Sequence, residues 1–287
     1  MNKVMLTYLL VLSSGMMTTA CQKHKEVPEK PAASDSQSTP QPHQMSVKQV
    51  PANYKLPACE GEGCPEVDIQ RLQTSNHWVN QFVDREILQL SSVQLSEEQP
   101  KPTSIQDNVD RFLQAAKQDS AARGAPVPYS MQVTPEYLGQ KGDIALLKIS
   151  AAYYTGGAHG SALDNYYNLD LKQKKQLGLD DILVPAQRQQ LHQLFYQQFV
   201  AWIKENDAKT DLDEYEQTWP FKLTDNFTFD LDGLKLSYAQ YEIGPYVVGM
   251  PEFTVPYAQL NGIIKPEYLK APVQLNVPKQ HVIPAPD

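Results

Sequence analysis

Positive charge, cysteine and long apolar runs are all scarce in this sequence, and each scarcity closes off a class of function. Lys and Arg total 25 against 33 Asp and Glu, for a net charge of −8. Such a surface repels phosphates, which argues against a nucleic-acid partner, and it draws basic partners in at low salt. No apolar run reaches the roughly 20 residues that a membrane-spanning helix requires. Only three cysteines and six histidines occur, with no second cysteine pair and no His-x-x-x-His, so a zinc-type site lacks its ligand set. Gly-x-Ser-x-Gly, His-Glu-x-x-His and Gly-x-x-x-x-Gly-Lys are absent too, which removes the familiar signatures of esterases, zinc proteases and P-loop enzymes. We therefore expect no catalytic residue, no metal and no cofactor.

What is present begins with an export signal. Lys3 supplies one positive charge, Val4 to Leu12 a short apolar run, and Thr18-Thr19-Ala20 small residues before Cys21. That order is the layout of a secretory signal, and the run is too short to span a bilayer. The ending resembles a bacterial lipobox, although Thr18 stands where Leu is usual. The expectation is cleavage after Ala20 and acylation of Cys21, with palmitate among the chains. More than one acyl chain is what makes such anchoring stable. Loss of Lys3 with the signal leaves the mature chain one unit more negative. Gln22 rather than Asp after the cysteine implies sorting to the outer membrane, if the source is Gram-negative. The expected location is the cell envelope, with the membrane contacted through the lipid alone.

Cys59 and Cys64 bracket Glu60-Gly61-Glu62-Gly63. In an oxidising compartment this spacing points to a local disulfide. From Gln22 to about Pro57 the chain is rich in Pro, Ser, Gln, Lys and Glu, and too poor in apolar residues to offset its chain entropy. We expect a signal peptide over 1–20, a disordered tether over 21–57, and a tail over 276–287. Between them about 220 residues suffice for one large domain or two small ones. The division expected is a helical and strand subdomain over 58–145 and a second domain over 146–275.

Val79, Phe82, Val83, Ile87 and Leu90 recur at helical spacing, predicting a helix over 76–91 with Asn76 as N-cap. Ile105, Val109, Phe112, Leu113 and Ala116 predict another over 104–122, capped by Ser104 with Asp107 three residues on. Strands follow over 129–138, 143–154 and 165–171. Pro185 is expected to open a third helix reaching about Lys204, with Asp180-Asp181 at its positive end. Phe227 to Leu231, a turn at Asp232-Gly233, and Leu234 to Tyr238 read as a hairpin. The outer ligands of a calcium loop are missing there. A last strand covers about 252–257. The fold class expected is α+β, an antiparallel sheet with helices packed on one face.

Two segments stand apart by composition. Tyr153-Tyr154-Thr155-Gly156-Gly157-Ala158-His159-Gly160 puts three glycines in five residues, opening backbone angles closed to other residues. His159 and Ser161 are near enough in sequence to raise a base and nucleophile, but one short loop rarely aims a triad. The second segment, Tyr238 to Gly249, is dense in Tyr, Gly and Pro. Tyrosine offers large contact area at low entropy cost. The same rings could instead fill core space.

Together these segments resemble the RsiV-like family. The residues that carry the likeness are Gly156 to Gly160, Asn165 to Leu171, Leu177-Gly178-Leu179-Asp180-Asp181, Gly233-Leu234, Tyr238 to Gly249, and Phe253 to Tyr257. The likeness covers about 145–265. It implies an envelope recognition domain, with lysozyme as one ligand. The membrane helix and sigma-binding segment of the anti-sigma factors in that family are absent here, as is the metal-dependent domain of its deacetylases. Partner contacts are expected from Gly156, Gly157, His159, Ser161, Tyr241, Pro245 and Tyr246. The partner expected is a basic protein such as lysozyme, or peptidoglycan with Tyr241 and Tyr246 stacking on sugars. A hydrolase using His159 is the remaining alternative. The anchor is directly testable: a Cys21→Ala variant should leave the membrane fraction on cell fractionation, and its retention there would dismiss the lipid.

Overall fold

Two helices form where apolar spacing and capping chemistry coincide. In α1 (His77–Leu90) the Asn76 side chain accepts from Trp78 N at 3.1 Å and Val79 N at 3.4 Å, satisfying N–H groups that a helix start leaves bare. Its buried face is Val79, Phe82, Val83 and Ile87. In α2 (Ile105–Arg123) Ser104 Oγ accepts from Asp107 N, and Gly124 closes the helix at a φ of 67° that favours glycine. The Asp107 carboxylate reaches one residue past the expected partner, accepting from Thr103 N and Oγ1. The computed structural model describes residues 45–61, 63–93, 101–206 and 208–276. The signal segment, Cys21 and most of the expected tether lie outside them.

Both helices cover one face of a seven-stranded sheet. Its strands run β1 (Val47–Pro51), β2 (Glu66–Thr74), β3 (Tyr129–Lys141), β4 (Ile144–Thr155), β5 (Ser161–Asp170) and β6 (Lys175–Gln176). The last strand, β10 (Val273–Leu275), pairs with the far end of β3. All neighbours are antiparallel except β2 and β3, which run parallel with Ile69 opposite Val133. A second sheet of three antiparallel strands follows: β7 (Phe227–Phe229), β8 (Gly233–Ser237) and β9 (Glu252–Pro256). The α+β class and the predominantly antiparallel sheet match the expectation.

Successive residues of a strand face opposite ways, and β4 uses this to serve two cores. Ala145, Leu147, Ile149 and Ala151 join the core under α1 and α2. Ile144 and Leu146 join the other, with Phe227, Phe229 and Leu234 of the second sheet. There α4 (Arg188–Asn206) contributes Leu191, Phe195, Phe199 and Ile203. One-face packing thus holds for α1 and α2, while α4 belongs to the opposite side. A boundary at 145/146 would cut through β4, so the proposed pair of subdomains does not divide the structure.

Three other expectations need correction. The tether ends earlier than Pro57, because β1 pairs along its length with β2 and Ala52 is buried. Hydrogen bonding supplies what its sparse apolar content does not: Ala52 N donates to Ile69 O at 2.8 Å, and the Tyr54 hydroxyl to Val67 O at 2.8 Å. Pro185 does not open the third helix. Val184 N donates to Ile263 O at 2.9 Å, Ala186 turns at a φ of 64°, and α4 starts three residues after the proline. Asp180 and Asp181 lie inside a separate short helix, α3 (Leu179–Ile182), where Asp181 accepts from Gly178 N at 2.9 Å. Asp180 still pairs with Arg188 at the start of α4. At the other end of the chain, Asn276 donates to Leu138 O at 2.8 Å, so only 277–287 of the expected tail lies outside the described residues.

The free edge of β5 is closed by side-chain amides from the second sheet. Asn226 Oδ1 accepts from Tyr166 N at 2.8 Å, and Asn226 Nδ2 donates to Asp164 O at 2.7 Å. The same Nδ2 reaches Ser237 O at 3.1 Å, and Ser237 N donates to Asn226 O at 2.9 Å. Asn168, itself buried, donates to Phe227 O at 2.7 Å. Unmade hydrogen bonds in such a seam cost about 1–3 kcal/mol each. Asn226→Ala should lower unfolding stability by about 2–4 kcal/mol in urea denaturation; a loss under about 0.5 kcal/mol would show that the seam is not needed.

Candidate functional site

The two segments singled out by composition meet. The loop after β4 turns on Gly156, whose φ is 74° and whose hypothetical Cβ would fall 2.1 Å from Val127 Cγ1. A side chain there would collide whatever its type. Arg123 donates to Gly156 O at 3.3 Å and Tyr154 Oη to Gly157 O at 2.9 Å, holding the loop from both sides. His159 emerges exposed from this frame, and Ser161 starts β5 opposite Tyr153.

The second segment is anchored by its buried members. Tyr238 lies in the core and donates to Lys222 O at 2.9 Å; burial raises its pKa. Glu242 accepts from Ala239 N at 2.9 Å, turning the chain, and Tyr241 takes a φ of 64°. Left-handed backbone at a bulky non-glycine residue carries strain and marks a conformation fixed by its surroundings. Ile243 is buried, and its carbonyl accepts from Tyr215 Oη at 3.0 Å, a tyrosine whose pKa burial also raises. Tyr215 lies on α5 (Leu212–Thr218), which Asp211 caps by accepting from Glu214 N at 3.1 Å. Pro245 then begins a short turn over Tyr246–Val248, with Val248 N donating to Pro245 O at 3.0 Å.

One hydrogen bond ties the segments: Ala162 N donates to Gln240 Oε1 at 2.9 Å. Above it the rings line up. His159 stacks on Tyr246 with centroids 4.4 Å apart and planes 20° from parallel. Tyr246 lies 5.7 Å from Tyr241, and Tyr241 6.4 Å from Trp219 at 29°. The four form a continuous aromatic row with Tyr241 53% exposed and Val247 87% exposed beside it. Of the residues expected to make contacts, His159, Tyr241 and Tyr246 sit in the row. Gly156, Gly157 and Pro245 shape its loops, and Ser161 stands at the edge.

Trp219 and Gln240 complete the site without having been singled out in the sequence. Trp219 follows α5, and no local pattern distinguishes it from a core tryptophan. Among the described residues no hydrogen bond joins His159 to Ser161 or to a carboxylate, and its ring packs on Tyr246. Among the described residues no group of three or more His, Cys, Asp or Glu side chains is placed to hold a metal. The arrangement offers contact area and hydrogen-bonding tips. Elsewhere a disulfide joins Cys59 and Cys64, with Cα atoms 5.9 Å apart.

Comparison with known proteins places this geometry. A crystal structure of a DUF3298 family protein from Pseudomonas aeruginosa PAO1 matches at a TM-score of 0.64 and 28% identity, covering 78% of this chain and 96% of that one. A member of the same family from Bacteroides fragilis NCTC 9343 matches at 0.56 and 18% identity, covering 79% and 96%, which is likeness of fold alone. A search of curated proteins gives no match. The family model described as "Protein of unknown function (DUF3298)" matches residues 180–258, a stretch that contains Trp219, Tyr241 and Tyr246 but not His159. Residues 180–258 are therefore a DUF3298 domain, set within a fold shared with structures of DUF3298 family proteins.

Proposed function

We propose that this chain is an exported, lipid-tethered envelope protein whose aromatic row binds a basic protein of the lysozyme kind, inhibiting or sensing it. The observation that carries the reading is the meeting of two segments, some 80 residues apart in sequence, in one row of rings held by rigid hydrogen-bonded loops. Contact surfaces built from immobilised aromatic side chains lose little entropy on binding and supply most hot spots at interfaces. Supporting the choice of partner are the net charge of −8, which complements a basic surface and accelerates encounter, and the resemblance to the RsiV-like family.

The glycan reading stands second on a geometric ground. Sugars stack on open ring faces, whereas here His159 and Tyr246 lie nearly face to face and each spends one face on the other. The hydrolase reading ranks last, because among the described residues no base–nucleophile hydrogen bond forms at His159.

Titration calorimetry with lysozyme at low and moderate salt tests the proposal. Binding should appear at low salt and weaken as salt rises. Tyr246→Ala should cost about 2 kcal/mol, or about thirtyfold in Kd. Absence of heat at both salt concentrations would reject the protein partner, and retention of the chain on insoluble peptidoglycan would favour the glycan instead.

A further inference from the structure

A second surface, sharing no lining residue with the aromatic row, lies where the segment after β1 crosses α2. It is fastened at both ends. Near one end Lys55 N donates to Gln106 Oε1 at 2.8 Å and Gln106 Nε2 returns to Lys55 O at 3.1 Å, at the first turn of α2. At the other, Gly63 has a φ of 95° and a hypothetical Cβ there would sit 2.4 Å from Pro126 Cβ, just beyond the end of α2. The Cys59–Cys64 disulfide shortens the span between them. The result is a strap over the helix that does not settle onto it.

Beneath the strap is a slot of about 680 Å³, within the size range of small-molecule sites. Its walls are apolar: Leu56, Pro57 and Ala58 on the strap, Leu113 and Ala116 on the helix. Leu56 is 47% exposed, although it lines the same slot as Leu113. Among the described residues the one charged group lining it is Lys117. The acids of α2 are engaged elsewhere, Asp107 with Thr103, Asp110 with Gln106 and Asp119 with Arg123. Lys117 thus makes no ion pair among the described residues, in a chain whose acids outnumber its bases.

We infer that the slot between the strap and α2 binds a single-chain anionic amphiphile, a long-chain carboxylate, with its alkyl chain under Leu56, Pro57 and Ala58 and its head group at Lys117. The apolar walls select the chain, because covering them removes apolar area from water. The Lys117 ammonium selects the sign of the head group, as opposite charge at a pocket mouth favours one ligand over its charge-reversed analogue. A cationic amphiphile gains the same burial but meets repulsion. The inference does not rest on the aromatic row, and either can fail without the other.

The test uses the full chain carrying Cys21→Ser, so that no acyl group of its own competes, titrated with dodecanoate below its micelle concentration. One dodecanoate should bind per chain, and dodecyltrimethylammonium should bind at least tenfold more weakly. Lys117→Glu, at an exposed position, should weaken dodecanoate about tenfold and reverse that preference. Ala58→Trp, also exposed, should abolish binding by filling the slot while leaving the melting temperature unchanged. Absence of saturable dodecanoate binding by the folded chain, or equal affinity in Lys117→Glu, would overturn the assignment.

Discussion

The architecture hangs on the way Asn226 substitutes for a strand. An exposed sheet edge presents alternating N–H and C=O groups that must be paired or covered. Along β5 this is done by one carboxamide that accepts from Tyr166 N and donates to Asp164 O, reproducing two ladder bonds with a side chain. Because Asn226 also bonds Ser237 on both its backbone groups, the closure of one sheet's edge fixes the position of the other sheet. Gln240 repeats the device further along, at Ala162. The aromatic row follows from this arrangement, since His159 hangs from the first sheet's loop and Tyr246 from the second's.

How much of this was legible depends on the range of the interactions. Helices α1 and α2 were readable because their signals are local: a capping side chain, then apolar residues at helical spacing, with ends that agree to a residue or two. The β7–β8 hairpin was readable for the same reason. Strand β2 was not, because its partner β3 begins more than fifty residues later and runs parallel, a pairing with no local trace. Strand β1 was masked by a polar composition that resembles a linker until β2 supplies its hydrogen bonds. Pro185 misled because the general preference for proline at a helix start yielded here to a tertiary bond between Val184 and Ile263.

The site was half legible. Glycine clusters and Tyr-Gly-Pro density flagged both loops, and the physical reason is visible at Gly156 and Tyr241, where the backbone adopts left-handed angles. What composition could not tell was that the loops touch. Gln240 and Trp219 owe their roles to folding over long sequence distances, and neither stands out by residue type or spacing. The DUF3298 match spans the segment that supplies Trp219, Tyr241 and Tyr246, yet the ring that completes the row comes from outside it. A row assembled this way cannot be carried by residues 180–258 alone.

The placement of β1 has a mechanical consequence. If the chain is held to a membrane from its N-terminus and to a partner at the row, tension between the two runs through β1 into β2, then across β3 and β4 to β5. Strand β1 is the first link in that path and a short one, paired to a single neighbour over five residues. A load applied from the N-terminal side meets Ser46 first, whose carbonyl accepts from Ser75 N at 3.0 Å, and then Val47, opposite Thr74 at the end of the ladder. Strand β1 would then yield before the rest of the two cores and the ring row. The protein would have a built-in slack of a few residues between its anchor and its grip.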